Sequence, residues 1–434
     1  METPDSTSSK KLIGKLFIKV LVIFGMALGL WLPTNIILEV IKERTGRQQE
    51  AITDISNKWA GKQIVTGPIL MLPYNVFSKD EKGNTISNKA IGYFLPESSE
   101  IISKVNPEKR HRGIYQVIVY RSEISIQGKF KPLDWQQLKT IPENVIWDEA
   151  ALLFKVQDNL RGINEDLFVK WNEKDHVFNP QSAGQSGMED AFAAAIPLSL
   201  EQAARENNFS LKFSLNGSQQ LSFAAAAREM KMQMSSSWPD PSFTGVKLPE
   251  TREISKDGFT ASWKFMNRSV PMVWNNNFHD LSASQIGTDL FIAVDSYNKT
   301  ERSVKYALLC IILTFAAFFL VETRFNKSLH LVQYGLAGLA LVLFYTLLLS
   351  ISEYTGFNTA YLIAGFSTIG LVSWFVGSIM KSSKLALFIS FVLTVVYSYI
   401  FIIIQLQDYA LLMGSIGLFI ALGIIMFFSR KLQW

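Results

Sequence analysis

The sequence predicts a membrane protein of the α+β class: six transmembrane helices, with a large β-rich domain inserted between the first helix and the second. Three observations predict this fold: the composition, six long apolar runs, and alternating apolar residues between the first two runs. Of the 434 residues, 48% are hydrophobic and 18% are charged. Such a chain is too apolar for an ordinary soluble protein and too charged to lie wholly in a membrane. We therefore expect membrane and water-facing parts together.

Each apolar run is long enough to cross about 30 Å of hydrocarbon, which takes about 20 helical residues. The first run is predicted to be an N-terminal anchor helix, and the other five are predicted to form a C-terminal bundle. The predicted runs are Val20–Ile41, Tyr306–Val321, Leu331–Ile351, Ala360–Met380, Leu385–Ile404 and Leu411–Ser429. A cleaved signal peptide is the alternative for the first run. The one candidate cleavage site with small residues, Ala27–Gly29, lies in the middle of the run, so we expect an uncleaved anchor.

Basic clusters at the N-terminus, in alternate short loops and after the last run all fall on one side, which predicts the orientation of the chain. They are Lys10, Lys11, Lys15 and Lys19 before the first run, then Arg324, Lys327, Lys381, Lys384, Arg430 and Lys431 in alternate loops and after the last run. The opposite short loops carry only Glu353 and Asp408. The predicted segments are a cytoplasmic N-terminus (1–19), the anchor (20–41), an outer domain (42–303), the five-helix bundle (304–429) and a cytoplasmic C-terminus (430–434).

The outer domain carries as many acidic as basic residues, so the chain's net charge of +5 comes from the cytoplasmic flanks. This excess of positive charge reflects the predicted membrane topology and does not indicate binding to nucleic acid. The one cysteine, Cys310, falls inside the second run. The outer domain therefore has no internal disulfide, and its stability must come from packing.

The outer domain begins with a helix and continues with strands. The apolar face Ala51, Ile52, Ile55 and Trp59 extends the anchor helix toward Gly61. The segment "GIYQVIVYRSEISIQGKF" predicts a buried central strand with a bulge or break near residues 121–123. Met230, Met232 and Met234 predict one further strand, and "DGFTASWKF" predicts another.

A hairpin is predicted around Asn216-Gly217. Apolar residues alternate on both sides of this pair, from Phe209 to Leu215 and again at Leu221 and Phe223. A three-residue loop pairs Phe213 with Leu221, and Leu211 with Phe223, so that both apolar sets lie on one face.

The stretch "SSSWPDPSFTG" predicts a stiff corner that ends the methionine-rich strand at about Ser237. Pro239 and Pro241 each remove a backbone donor, and Trp238 is free to fold inward. We favour a structural role as an aromatic-lined turn. A binding role for Trp238 or Asp240 is the alternative.

The motifs of chemistry that we sought are absent from the sequence. His111, His176 and His279 stand far apart without a zinc pattern. "AGQSGM" departs from a nucleophile elbow because Gly187 directly follows Ser186. We therefore predict no catalytic residue, no cofactor-binding residue and no metal site, and we expect a protein that is not an enzyme.

The interiors of the last five apolar runs contain no ionisable residue, and Glu322 and His330 lie at their cytoplasmic ends. An ion-coupled transporter usually keeps such a residue within the bilayer. The runs contain small residues that suit close helix packing, namely Gly335, Gly338, Gly370, Gly377, Gly414, Gly417 and Ala421.

The order of several motifs resembles the CreD family of bacterial inner-membrane proteins, which are also called cell envelope integrity proteins. The motifs are "GPILMLPY", "YFLPES", "HRGIYQVIVY", "SSWPDPSFTG" with the following "LPETREI", "DGFTASW", and the first two bundle helices. The resemblance implies an inner-membrane location with a periplasmic outer domain. It also implies links to envelope integrity, to colicin tolerance and to a two-component regulon that responds to cell-wall stress. No catalytic or ligand residue is carried over.

Three classes of function follow as hypotheses. The first is a non-enzymatic envelope factor that acts through its periplasmic domain and contacts membrane lipids and envelope or periplasmic proteins. The second is a transporter or lipid-handling permease, which an apolar groove in the outer domain would favour. The third is an envelope-modifying enzyme, which converging carboxylates or a histidine in a cleft would favour. Nucleic acid is not an expected partner, and no oligomeric state is predicted.

The predicted topology can be tested with single cysteines in a Cys310→Ser background. Cysteines at Ser98 and Thr355 are expected to react with a membrane-impermeant maleimide in intact spheroplasts, because both positions are predicted to lie outside. A cysteine at Ser328 is expected to stay unmodified. Labelling at Ser328 would contradict the topology.

Overall fold

A computed structural model describes residues 6–429, except residues 80, 83, 182–187, 189, 269, 277, 291–295, 326–328 and 407–408. The chain divides into two compact units. We name residues 1–49 with 294–434 the helical unit, and residues 50–293 the β unit.

Helices account for nearly all of the helical unit. The α-helices of the described chain are α1 Ser6–Gly29, α2 Trp31–Trp59, α3 Asn159–Gly162, α4 Leu200–Ala203, α5 Ser296–Lys305, α6 Ala307–Phe325, α7 Leu331–Thr355, α8 Phe357–Met380, α9 Ser383–Gln405 and α10 Ala410–Ser429. Only Leu30 separates α1 from α2. The interruption has a local cause: Pro33 lacks an N–H, and its ring crowds the carbonyl of Gly29, four residues earlier.

Five helices of the described residues are long and apolar enough to cross a membrane. They are Ile18–Trp59, Ala307–Phe325, Leu331–Thr355, Phe357–Met380 and Ser383–Gln405. With the large β-sheet structure between the first and the second of them, the chain is an α+β membrane protein, as the sequence predicts. The sixth apolar run also forms a helix, α10. Its role as a span stays a prediction, since many of its side chains lie outside the described residues.

Helix packing in the helical unit uses several of the predicted glycines, among them Gly335 and Gly338. Helix α1 packs against α6 and α7, α7 packs against α8, and α9 packs against α6 and α8. A Cβ atom at Gly338 would overlap the side chains of Leu30 and Phe315, and one at Gly335 would lie 3.2 Å from Met26. The absence of a side chain at Gly338 is therefore what allows this close approach.

An ion pair joins α1 to α6 near the end of α6. Lys19 pairs with Glu322 and donates to the backbone oxygen of Leu329 at 2.9 Å. The Tyr334 hydroxyl donates to Oε2 of Glu322 at 3.0 Å. Glu322 is thus paired, while His330 caps the start of α7 by accepting from the Val332 N–H at 3.3 Å.

Two sheets form the β unit. The strands are β1 Gln63–Lys79, β2 Thr85–Phe94, β3 Ser98–Arg112, β4 Tyr115–Phe130, β5 Ala151–Val156, β6 Phe168–Trp171, β7 Lys174–Val177, β8 Asn179–Pro180, β9 Phe192–Ala195, β10 Asn207–Ser218, β11 Gln220–Ala224, β12 Glu229–Ser236, β13 Pro241–Gly245, β14 Thr251–Ser255, β15 Gly258–Met266, β16 Val273–Asn275 and β17 Gln285–Leu290. Sheet A has the order β13-β17-β11-β1-β5-β9-β8, with β2 beside the second half of β1 and β16 beside β2. Sheet B has the order β14-β15-β12-β3-β4-β10-β6-β7.

The main core lies between the two sheets. Apolar side chains from both sheets form one buried cluster, which includes Leu72, Phe154 and Phe223 of sheet A and Ile101, Ile124, Leu211 and Met232 of sheet B. A second cluster, with Ile69, Tyr93, Leu153 and Trp274, covers the opposite face of sheet A. Sheet A is therefore buried on both faces, whereas sheet B buries one face and presents a polar face to solvent.

Two predictions about the strands are wrong. Strand β4 runs unbroken from Tyr115 to Phe130 and pairs with β3 without a register shift, so no bulge occurs near residues 121–123. The predicted hairpin at Asn216-Gly217 is also absent. Both residues lie within β10, which pairs with β4 of sheet B, whereas β11 pairs with β1 and β17 of sheet A.

The physical reason for the missing hairpin is the sandwich itself. The chain changes sheet at Gln219, which has a positive φ of 64°. Phe213 and Leu221 still share one core, but they reach it from opposite sheets instead of as cross-strand neighbours. Alternation predicts which face of a strand is apolar and leaves open which sheet the strand joins.

Three other predictions are confirmed. Helix α2 ends at Trp59, the methionine-rich segment is strand β12 with its methionines buried, and "DGFTASWKF" lies in strand β15.

The close contact at Gly338 predicts that a leucine destabilises the protein at this position but not at Gly370. Gly338→Leu is expected to lower the free energy of unfolding by about 1–3 kcal/mol, because the new side chain overpacks a filled contact. Gly370→Leu is the matched control, since an added Cβ there meets nothing within 4 Å. Thermal unfolding of both proteins in detergent measures the difference. Equal melting temperatures would contradict the packing.

Candidate functional site

The structure places Trp238 in the core, at the corner where the chain leaves sheet B for sheet A. The side chain is 8% exposed and belongs to the main core cluster. Its Nε1 donates to the backbone oxygen of Asp240 at 3.1 Å, and the Lys109 ammonium lies 5.5 Å from its ring centroid. Pro241 begins β13 at the edge of sheet A, where a missing N–H is tolerated. Asp240 itself is exposed. These contacts favour the structural interpretation of the corner.

The predicted histidines stay apart in the structure. His111 lies near the end of β3 and His176 lies in β7, while the ring of His279 packs 5.4 Å from that of Trp274. Among the described residues, no group of three or more His, Cys, Asp or Glu side chains could hold a metal ion. Ser186 and Gly187 lie outside the described residues.

Concavities lie on the solvent-facing surface of sheet B. Their volumes are about 570, 410 and 240 Å³. The lining of the first is mainly polar, with Ser98, Glu100, Gln127, Lys129, Lys170, Asn208, Ser210, Glu229 and Lys231. Its charged groups have neighbours of their own: Glu100 accepts from Gln127 at 2.8 Å, and Glu229 lies 3.9 Å from Lys231.

A fourth concavity, of about 730 Å³, lies on sheet A. Met71, Ile91 and Ala193 give it an apolar lining, and the Lys89–Glu149 ion pair borders it. It also reaches Gln181, after which the chain leaves the described residues.

The most highly connected polar structure in the β unit surrounds the end of α2. We name it the helix clamp. Its residues are Asp54, Ser56, Asn57, Trp59 and Gly61 on the helix side, with Arg110, Arg112, Tyr120, Asp158, Arg161 and Ser218 on the sandwich side.

Trp59, the last residue of α2, provides the first contacts of the clamp. Its Nε1 donates to the backbone oxygen of Tyr120 at 3.3 Å, and the Arg110 guanidinium lies 5.2 Å from the ring centroid. Both partners belong to the long β3–β4 hairpin. A cation–π contact of this kind contributes about 0.5–1 kcal/mol at an exposed site.

Hydrogen bonds with β10 and with the turn after β5 provide the second set. The hydroxyls of Ser56 and Ser218 lie 2.8 Å apart. The Ser218 N–H donates to the Gly61 oxygen at 3.0 Å, and the Gly61 N–H donates to Oδ2 of Asp158 at 2.9 Å. Both backbone groups of Gly61, two residues beyond the end of the helix, are thus used for docking.

Charged groups provide the third set. Asp54 pairs with Lys58 at 2.8 Å within the helix and with Arg112 of β3. Arg161 donates to the backbone oxygen of Asn57. The charges on this part of the helix are therefore committed to partners on the sandwich as well as to each other.

Tyr120 connects the clamp to both sheets. Its side chain is fully buried, and its hydroxyl donates to the backbone oxygen of Gln220, at the start of β11, at 2.6 Å. Burial raises the pKa of the Tyr120 phenol well above its ordinary value, so the hydroxyl remains a donor at neutral pH. Gly217 pairs with Tyr120 across the sheet, and a Cβ there would overlap the tyrosine hydroxyl.

A polar cluster also lies at one end of the helical unit. We name it the Glu353 cluster, and its residues are Arg44, Tyr297, Lys299, Glu353, Asn358 and Gln405. The Glu353 side chain is only 10% exposed; its Oε1 accepts from the Tyr297 hydroxyl at 3.0 Å and lies 3.7 Å from Nε of Arg44. Gln405 accepts from Lys299 at 3.0 Å and donates to Asn358 at 2.7 Å. The cluster therefore joins five helices, α2, α5, α7, α8 and α9.

The sequence identified only part of these two sites. It identified Trp59 as the end of an apolar helix face and Glu353 as a loop residue. It did not identify Tyr120 or Ser218 as partners of the helix, because no sequence periodicity connects residues so far apart in the chain.

Comparison with known proteins identifies a family. A family model described as "Inner membrane protein CreD" matches residues 15–434. The inner membrane protein CreD of Escherichia coli (strain K12) is 32% identical over 434 residues, which covers 96% of this chain and 94% of that protein. Among solved structures, one of a proposed protease from Parabacteroides distasonis aligns with 66% of this chain and 59% of its own, at 11% identity and a TM-score of 0.21. A likeness at that TM-score carries no argument about fold or activity.

The buried position of Trp238 and the exposed position of Asp240 predict that substitutions at these two residues differ in their effect on stability. Trp238→Ala is expected to lower the free energy of unfolding by about 3–5 kcal/mol, as for other large buried aromatics, and to reduce accumulation in the membrane. Asp240→Ala, one turn away and exposed, is expected to change neither. Thermal unfolding and membrane quantification test both. Unchanged stability with lost function in Trp238→Ala would favour the binding role instead.

Proposed function

Because the chain belongs to the CreD family of inner membrane proteins, we propose that it serves as a non-enzymatic factor of cell envelope integrity and of the envelope stress response. It acts through the β unit on the periplasmic side, with both termini in the cytoplasm. Its partners are membrane lipids and envelope or periplasmic proteins.

The helix clamp is the observation that carries this proposal. The helix that contains the end of the first apolar run continues into the segment that Trp59 and Ser56 dock on the sandwich. A displacement of that helix is therefore passed to β3, β4 and β10 through direct contacts. Such a link suits a protein that senses or braces the envelope beside the membrane.

A transporter or lipid-handling permease is the second candidate. The observation that favours it is the Glu353 cluster, which holds a nearly buried carboxylate among residues of five helices. This hypothesis predicts that Glu353→Gln abolishes complementation of a deletion strain. The clamp-based function predicts that it does not.

The clamp-based function predicts that a double variant, Ser56→Ala with Trp59→Ala, fails to complement a deletion strain for detergent, β-lactam or colicin sensitivity. Each lost hydrogen bond contributes about 0.5–1.5 kcal/mol, and a domain is stable by about 5–15 kcal/mol. The β unit is therefore expected to stay folded, so membrane levels should be preserved.

The matched control is Arg47→Ala. It removes an exposed ion pair with Glu43 on the same helix, where the charge contributes little, and leaves the clamp intact. Complementation by the double variant equal to that by Arg47→Ala, at equal membrane levels, would refute the function proposed.

A further inference from the structure

Four buried hydroxyl groups inside the helical unit have no oxygen or nitrogen partner among the described residues. One belongs to Ser373, which is partly exposed. The other three belong to Ser303, Tyr345 and Tyr397. The exposed fractions of these side chains are 0%, 0% and 3%. The Tyr397 hydroxyl faces the thiol of Cys310, which is only a weak hydrogen-bonding group.

The two tyrosines and the cysteine come together from three different helices. The rings of Tyr345 on α7 and Tyr397 on α9 lie 4.8 and 4.5 Å from the ring of Phe344. Cys310 of α6 contacts Tyr397. Ser303 is buried near the end of α5, seven residues before Cys310 in the chain. We name Ser303, Cys310, Tyr345 and Tyr397 the hydroxyl cluster.

Other hydroxyls nearby do have partners. Thr300 and Thr314 donate to their own helices, to the Ser296 and Cys310 oxygens, each at 2.7 Å. The Tyr361 hydroxyl on α8 donates to the backbone oxygen of Tyr397 at 2.8 Å. The fold thus pairs other hydroxyls in this region, and the unpaired hydroxyls of Tyr345 and Tyr397 lie where one small molecule could reach both.

The chemistry of the hydroxyl cluster identifies the class of ligand. An unpaired hydroxyl in an apolar interior is costly, and the hydrocarbon around a membrane protein offers no partner. The cluster contains phenol, alcohol and thiol groups and no lysine, arginine or carboxylate, so it suits neither an anion nor a metal cation. Its neutral hydroxyl groups suit water, which satisfies two to four polar groups when buried.

The Glu353 end of the helical unit offers a polar approach to the hydroxyl cluster. Ser352 lies two turns beyond Tyr345 on α7 and is buried, and Glu353 follows it. On the other side of the cluster, Phe315 and Leu341 are buried and apolar.

We propose that the hydroxyl cluster is a water-binding site in the interior of the helical unit. Water reaches it from the Glu353 end, and Phe315 and Leu341 close the opposite side. The interior of the helical unit is then hydrated from the Glu353 end as far as the hydroxyl cluster and is dry beyond it. This assignment is independent of the clamp-based function.

The single cysteine allows a direct test by hydrogen–deuterium exchange. The S–H stretch of Cys310 gives an isolated infrared band, and transfer of the purified protein to heavy water shifts it when water reaches the thiol. Two reference proteins in a Cys310→Ser background set the scale: Thr355→Cys at an exposed position and Leu341→Cys in the apolar closure. Exchange of Cys310 at a rate near that of Thr355→Cys is expected. A rate as slow as that of Leu341→Cys would overturn the proposal.

Removal of single hydroxyls gives an independent test. Tyr361→Phe provides the reference for loss of a paired hydroxyl and is expected to lower the melting temperature. Tyr345→Phe and Tyr397→Phe are expected to lower it similarly, because each hydroxyl is satisfied by water. An unchanged or raised melting temperature in both variants would mean that the hydroxyls are dry, and would overturn the proposal.

Discussion

Polar groups that leave water must find partners inside the chain, and this constraint shapes both units. It explains why the apolar runs are helices, in which each backbone group is bonded within the run. It explains why Ser103 and Ser122, both buried between the sheets, lie 2.9 Å apart. It also explains why Lys19, Glu322 and Tyr334 bond one another where α1 meets the bundle.

The same constraint gives the helix clamp its strength. The last turn of a helix has free carbonyl groups, and the β unit supplies Arg161 to meet that of Asn57. It also supplies Asp158 and Ser218 to meet the backbone groups of Gly61, just beyond the helix. None of the individual contacts is strong, since neutral hydrogen bonds and exposed ion pairs each contribute about 1 kcal/mol or less. Together, however, these contacts hold the helix end from two directions, because they join it both to the hairpin β3–β4 and to strand β10. The function that we propose rests on this mechanical link.

Local features were predictable from the sequence, and pairings between distant segments were not. The end of α2 at Trp59 follows from a single apolar face, and β12 and β15 follow from period-two alternation. The hairpin at Asn216-Gly217 was wrong because a strand's apolar face does not specify its sheet. The sequence does not indicate the hydroxyl cluster, because charged residues stand out inside an apolar run and neutral hydroxyls do not. Tyr345 and Tyr397 look like ordinary bundle residues until α7 and α9 are packed together.

The most direct measurement of the central claim is a disulfide across the clamp. Ser56→Cys with Ser218→Cys, in a Cys310→Ser background, replaces two hydroxyls that lie 2.8 Å apart, which suits the short Cβ separation of a disulfide. The account predicts that the bond forms in intact cells and that the oxidised protein complements the deletion strain as well as the reduced protein does. Failure of the bond to form, or loss of complementation on oxidation with recovery on reduction, would contradict a clamp that stays closed during function.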